Sequence, residues 1–474
     1  MRPKFQLLDN QLVGRILGEA FELLMTTGVK VGSPECRGLL AAAGAHLTDG
    51  IAHIPESLVR SCLASAPHEF ELYNRSGKPA VHYGGDRVHF DPGSSCLNIL
   101  DPDTQEARPA VSDDLIRMVQ VTEMLPQYAA QSTAMVCNDV PSEIGDWYRL
   151  LLVLCYSEKP VITGAFSVAT LQTMIELLEA DSGGEQALKA RPRAVFDVCP
   201  SPPLNWSRFA SDNLIHLARS GVPAELISMP LAGATAPVTL TGAIVQHAAE
   251  SLAGITIHQL ASPRAPIVWG GAPAIFDMSS GNTPMGAIET AMLDIGCAEV
   301  GKSLGLPTHA YLVASDSKFI DPQAGMESSI SAVLGALAGI NMISGAGMLD
   351  FLACHSIEKL VIDAEAIASA QRLIAGVEPL TDQLATGMFA EAGLTGDFLK
   401  LKETRNLFRK EQHFPSQIID RGNDAGGPNL PARARERVQE LLRSYQPPEL
   451  PQKLQEHPLL QRWNAELRLA YARA

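Results

Sequence analysis

The chain has 474 residues, and because folded cores beyond roughly 250–300 residues tend to divide, it predicts one large domain with attachments. Hydrophobic residues at 46%, charged residues at 19% and a mean hydropathy of +0.06 exclude a disordered or fibrous chain. Thirty-seven basic against 52 acidic residues leave a net charge of −15, which opposes a phosphate backbone and excludes nucleic acid as a partner.

Residues 1–68 read as helical, with Leu12, Ile16, Phe21 and Leu24 at helical spacing and Pro55-Glu56 opening another helix. From about 69 to 111 the texture changes to short alternating runs, FELYN, AVHYGG, RVHFDPG and LNILDPDT, separated by turn residues. These predict antiparallel strands. Ser112-Asp113-Asp114 then offers an N-cap for a helix carrying Leu115, Met118 and Val119. Residues 1–127 thus form an N-terminal accessory region.

After residue 128 each short apolar run is followed by a helical pattern. The runs cover 132–138, 160–166, 193–199, 224–230, 266–271, 307–315 and 340–347, with starts about 30 to 42 residues apart. That interval holds one strand, one helix and two loops, and most runs lack the alternation of a half-exposed sheet, so they predict buried parallel strands. The helices between them carry single apolar stripes, such as Val168, Leu171, Met174, Ile175 and Leu178, or Ile330, Val333, Leu334, Leu337 and Ile340. Seven units, with an eighth expected after residue 380, predict an α/β fold of the (β/α)8 TIM-barrel type over 128–380. No G-x-G-x-x-G or P-loop string supports a nucleotide-binding sheet instead. Residues 381–474 turn polar and form a helical C-terminal extension, with a Gly/Asn/Asp/Pro-rich break at 422–430.

The eight cysteines lie at least about 18 residues apart, form no C-x-x-C pair and favour neither a zinc ribbon nor a disulfide scaffold. No apolar run of about 18 residues and no signal-like N-terminus occurs, so the expected setting is the cytoplasm, without membrane contact. There is no G-x-S-x-G elbow, no H-E-x-x-H and no close His pair, so no catalytic nucleophile and no metal ligands are assigned. His216, His247 and His258 fall in helical patterns and read as packing residues.

Catalytic groups of a barrel belong at the C-terminal strand ends. The sixth run ends in SDSKFIDPQAGMES (315–328), which brings Asp321, Gln323 and Glu327 into one loop-to-helix turn. The fifth ends in WGGAPAIFDMSSGNTPMG (269–286), with Trp269, Phe276 and Asp277, and the seventh leads to His355. A cavity rimmed by aromatic and small residues with a few carboxylates suits a quaternary ammonium group, held on aromatic faces at roughly 0.5–2 kcal/mol per contact. The chemistry can then come from a cofactor.

Specific strings sharpen this reading. HIPESLVRSCLASAP (53–67), VHFDPGSSCLNILDPDTQEARPAVSDDL (88–115), PAIFDMSSGNTPMGAIE (273–289), GLPTHAYLVASDSKFIDPQAGMES (305–328) and HFPSQIIDR (413–421) resemble the trimethylamine methyltransferase family over most of the chain. The resemblance implies a barrel enzyme that moves a methyl group from a methylamine or betaine to the Co(I) corrinoid of a separate carrier protein, with no tightly bound cofactor of its own. The archetypal enzyme carries pyrrolysine, whereas every position here is a standard residue, which implies the branch acting on quaternary amines such as glycine betaine. On these strings and strand ends, Asp277, Asp321, Gln323 and Glu327 are the expected polar groups of the pocket. Trp269, Phe276 and Tyr311 are the expected cage walls, and His355 faces the substrate's polar end. Two rival readings are a metal-dependent barrel hydrolase or lyase using carboxylates of 316–327, and a non-enzymatic betaine-binding protein. A homo-oligomer is expected for an enzyme of this size.

Overall fold

The computed structural model describes residues 2–422 and 427–463; the rest of the expected C-terminal extension, residues 423–426 and 464–474, lies outside the described residues. Within them, parallel strands alternate with helices around a closed ring. The strands are β1 (His89–Pro92), β2 (Gln131–Ser132), β3 (Val161–Gly164), β4 (Ala194–Val198), β5 (Ala224–Ser228), β6 (Ile267–Gly271), β7 (His309–Tyr311) and β8 (Met342–Ala346). Each is followed by a helix: α1 (Ser112–Met124), α2 (Gly145–Tyr156), α3 (Val168–Ser182), α4 (Arg208–Ser220), α5 (Leu240–Ala261), α6 (Ile288–Ser303), α7 (Pro322–Ala338) and α8 (Ile357–Ala375).

Pairing runs in parallel from β2 through β6 and again from β7 through β8 to β1. A parallel bridge between Trp269 and Thr308 joins β6 to β7, and the Ala129 amide donates to the Phe90 carbonyl at 2.9 Å between β2 and β1. This is the (β/α)8 barrel. The eighth strand does not follow residue 380. It is β1, inside the stretch expected to be antiparallel and accessory, and it pairs with β8. Its four residues lie between turns, and only the distant partner decides its direction.

The floor of the barrel is apolar. Ala130, Ile162, Val195, Val268 and Met342 point inward and meet Leu72, Val81 and Tyr83 of an antiparallel hairpin (Phe70–Tyr73 with Pro79–Tyr83) that plugs the bottom. Residues 1–68 do form helices, Asn10–Thr26, Pro34–Ala42 and Glu56–Ser65, but also a small antiparallel sheet in the order Val29–Val31, Ile51–His53, His46–Thr48 that sequence periodicity did not reveal. All three of these helices pack on α5, which is therefore buried on nearly all sides and shows no single apolar stripe.

Of the stripe expected on α7, only Ile340, just past the helix, is fully buried; Val333, Leu334 and Leu337 are partly buried. The helix's barrel side is small, with Ser328, Ser331, Ala332, Gly335 and Ala336 buried, while Ile330 is half exposed. A Cβ at Gly335 would lie 2.7 Å from Leu312, so only small residues let this helix reach the sheet. At the C-terminus, helix Leu430–Ser444 buries Ala434, Val438 and Leu441 against α1 and α8. Residues 377–419, with helices Thr386–Ala392 and Lys402–Glu411, bury only Leu401 and Ile418 among the described residues. No described helix is long and apolar enough to cross a membrane.

Candidate active site

The C-terminal mouth of the barrel opens onto a cavity of about 280 Å³ lined by Ser94, Ser95, Gly164, Phe166, Asp197, Cys199, Phe209, Asn213, Ile227, Met229, Tyr311 and Leu352, among others. Every strand end from β1 to β8 except that of β2 lends it a residue directly or through the following loop. Of the candidates drawn from sequence, Tyr311 lines this cavity, and its hydroxyl lies 2.5 Å from Ser94 Oγ. The ring stands edge-on to His309, 5.4 Å between centroids.

The remaining candidates lie elsewhere. Trp269 occupies an outward position of β6, donates its indole N–H to the Cys297 carbonyl at 2.9 Å and packs on His247, in the layer between sheet and helices. Phe276 is half buried in the β6–α6 loop and does not reach the cavity lining. Asp277 ties that loop to itself, accepting from Ser279 Oγ at 2.8 Å and Ser280 Oγ at 2.6 Å; these bonds hold its carboxyl down to about 2. Asp321 caps α7 by accepting from the Ala324 amide at 3.0 Å. Gln323 donates to Glu327 Oε1 at 2.9 Å, while Glu327 Oε2 accepts from Ser315 Oγ at 2.6 Å and the Asp316 amide at 2.9 Å. Asp316 in turn accepts the Met285 and Gly286 amides, clipping the β7–α7 loop to the β6–α6 loop. These groups shape loops rather than line the cavity. His355 is buried against Gly347, and burial lowers its pKa to about 3.

Below the cavity the barrel holds a polar layer that sequence reasoning did not assign to the site. Asp197 of β4 stands in register with Glu225 of β5, so both carboxyls point into the barrel one strand apart, about 4.8 Å along the sheet. Tyr83 donates to Glu225 Oε2 at 3.3 Å, and His309 Nδ1 lies 3.3 Å from Glu225 Oε1 without hydrogen-bond alignment. His309 Nε2 meets Ser344 Oγ at 2.9 Å, and Ser344 donates to Asp91 Oδ1 at 2.6 Å. Burial pushes the Asp197 carboxyl up to about 7, and Glu225 and Asp91 well above the usual range, and the neighbouring carboxyls raise Glu225 further. Burial also lowers His309 to about 3. The signal for these residues was in the chain: an acid or His in the middle of an apolar strand run, as in RAVFDVC, AELISMP and PTHAYLV, has nowhere to point but a site or a partner.

One wall is held by a buried cation. Arg149 of α2 donates to Ser95 Oγ and to the Thr133 carbonyl, both at 3.1 Å, and its guanidinium lies 5.8 Å from the Phe166 ring centroid. Asp146 fixes the same corner by accepting the Phe166 amide at 2.6 Å. Among the described residues no three His, Cys, Asp or Glu side chains are placed to hold a metal ion.

A family model described as trimethylamine methyltransferase matches residues 1–463. The trimethylamine methyltransferase MttB2 of Methanosarcina mazei is 31% identical over 444 residues, covering 90% of this chain and 88% of that protein. A glycine betaine methyltransferase of Desulfitobacterium hafniense is 26% identical over 454 residues, with 94% of each chain covered. Among solved structures, the monomethylamine methyltransferase MtmB of Methanosarcina barkeri has a TM-score of 0.54 over 92% of this chain and 89% of its own, at 12% identity, and so shares the fold.

Proposed function

The chain belongs to the trimethylamine methyltransferase family, and from that premise we propose that it takes a methyl group from a quaternary amine, glycine betaine or a similar compound, for the Co(I) corrinoid of a separate carrier protein. The observation that carries this reading is the cavity itself: three aromatic rings, Phe166, Phe209 and Tyr311, surround a space with Asp197 at its base. Aromatic faces and a carboxylate attract a cation that offers no hydrogen bond.

The corrinoid, brought to the mouth by its carrier, supplies the nucleophile that accepts the methyl group. What this chain does is hold and orient. A quaternary nitrogen leaves as a neutral tertiary amine, so the step needs no general acid, and what it asks of the mouth is positioning. The rings fix one N–CH3 bond toward the opening and exclude water from the others. Exposed Phe166, Met229, Met278 and Phe319 on the loops after β3, β5, β6 and β7 give the mouth an apolar rim for the carrier. Asn213, Ser94 and Ser95 are the neutral hydrogen-bonding groups that a substrate's polar end would meet. Asp321, Gln323, Glu327 and Asp277 contribute by fixing the loops around the mouth, and Trp269, Phe276 and His355 by packing behind it. The enzyme works as a homo-oligomer in the cytoplasm.

The test is methyl transfer to a Co(I) carrier protein, followed by the cobalt absorbance on mixing with glycine betaine, choline, carnitine, proline betaine or trimethylamine. Reaction with at least one quaternary amine is expected. Reaction with trimethylamine alone would overturn the quaternary reading, and no reaction with any would overturn methyl transfer.

A further inference from the structure

The polar layer beneath the cavity is short of positive charge. Asp91, Asp197 and Glu225 all point into the barrel, and among the described residues no Lys or Arg forms an ion pair with any of them; Glu225 has only His309 at 3.3 Å. Four atoms there, Asp91 Oδ2, Asp197 Oδ1, Glu225 Oε1 and His309 Nδ1, have no hydrogen-bond partner. The groups facing them from the other elements are neutral: Tyr83 below, Ser132 on β2, Gly164 on β3, Cys199 after β4, Tyr311 on β7 and Ser344 on β8. Burial raises Tyr83 and Tyr311 further from ionisation. On β6 a glycine makes room, since a Cβ at Gly270 would stand 3.0 Å from Glu225 Cγ and 3.1 Å from His309 Nδ1.

Two buried carboxylates and the half-buried Asp197 cannot all be ionised this close without a counter-charge, so the cluster must hold protons when no cation is bound. Whether a given proton resides on a carboxyl or on His309 is a property of the coupled cluster, not of one residue. Only Asp197 of the three lines the cavity, so it is the point at which a ligand meets the cluster.

We propose that a cation enters this site by exchange for a proton: the ammonium group takes up the space above Asp197, the Asp197–Glu225 pair becomes anionic, and one proton passes to solvent. The inference rests on the reading of the cavity as a quaternary-amine site. It makes the cluster a device that is neutral when empty and charged only when a cation is there to be matched, so a neutral molecule of the same shape gains nothing from it.

Calorimetry of the full chain tests this. Tetramethylammonium, choline, carnitine and glycine betaine are titrated in phosphate and in Tris at the same pH, and the difference in heat gives the protons exchanged. About one proton released per bound cation is expected, with the apparent Kd tightening by about tenfold per pH unit below the cluster's titration and levelling above it. The neutral carbon isostere of choline should bind with no proton released and no pH dependence. The Asp197→Asn variant should retain any residual binding without proton release. A quaternary amine that binds with no proton exchanged at neutral and at lower pH would overturn the exchange while leaving the cation site standing. Failure of all four to bind would overturn both.

Discussion

Tyr311 can be tested as a cage wall apart from its role as packing, because its ring and its hydroxyl have separate partners. Tyr311→Phe keeps the ring and removes only the contact with Ser94, so the Kd for a quaternary amine should change little. Tyr311→Leu removes the ring and should weaken binding roughly 2- to 30-fold, read by calorimetry. Asp197 makes a second, opposite demand. Its folded-state pKa, about 7, lies above the unfolded value of about 4, so the native state resists an ionisation that the unfolded chain accepts. Stability from this group is therefore present at low pH and is lost as pH rises from about 4 toward about 7. Asp197→Asn should melt at the same or a higher temperature than the parent at neutral pH while binding cations less tightly, a trade expected where a site is built against stability. A lower melting temperature at neutral pH would count against a proton-bearing cluster. At this scale the sequence was only partly legible. Tyr311 was found within the sixth strand run and the string 305–328, but Trp269 stands in the fifth run and faces outward, since in an all-apolar run nothing local shows which of two neighbours points in. Parity had to come from three dimensions, where Val195 and Asp197, or Val268 and Gly270, share one face.

Elements around the mouth are locked by a buried ion pair rather than by loops alone. Lys359 on α8 reaches Asp363 at 2.6 Å, Ser328 Oγ on α7 at 2.8 Å and the Val313 carbonyl after β7 at 3.2 Å, and Asp363 accepts the Gly347 amide after β8 at 2.7 Å. Val313 sits at a φ of 63°, a region that a β-branched residue occupies only when its surroundings hold it there. Lys359 is one of those surroundings, so Lys359→Met leaves a buried carboxylate without its cation and the Val313 carbonyl held by Ser328 Oγ alone, at 3.1 Å. It should cost about 3–5 kcal/mol, seen as a fall in the urea midpoint. A Lys359→Met/Asp363→Leu pair, which removes both charges, should recover much of that loss. Recovery is the expected mark of a charge left alone, and an equal loss in both variants would instead point to packing. The repeating strand–helix rhythm was readable because buried parallel strands are continuous apolar runs. The first strand was not, because HFDP is too short to show a period and its parallel partner lies at the far end of the barrel. The α7 stripe misled for a related reason: periodicity shows which residues share a face, but close approach to Leu312 and Ile343 reserves the inner face for small side chains.

On the scale of the whole molecule, the charge balance that first excluded nucleic acid also constrains assembly. A surface carrying a net −15 repels its own copies over most of its extent. Residues 377–419 escape that repulsion: Glu378, Asp382, Glu391, Asp397, Glu403 and Glu411 are nearly balanced by Lys400, Lys402, Arg405, Arg409 and Lys410, six acidic against five basic. The same segment leaves Val377, Leu384, Phe389, Leu394, Leu399 and Phe414 in solvent, with Leu394 fully exposed, and offers a groove between Leu380, Leu384, Met388 and Phe408. A near-neutral apolar arm with both ridges and a groove fits a second copy of itself, where a strongly charged partner would find no complement, and a stable contact of this kind needs about 1,200–2,000 Å². The full chain should therefore sediment as an assembly larger than its 50.7 kDa. Leu394→Asp with Leu399→Asp should shift it toward the monomer without lowering the melting temperature of the barrel, since neither side chain is packed in a single copy. A parent chain that sediments as a monomer at micromolar concentration would remove the arm as a self-contact and leave its apolar surface to the carrier protein.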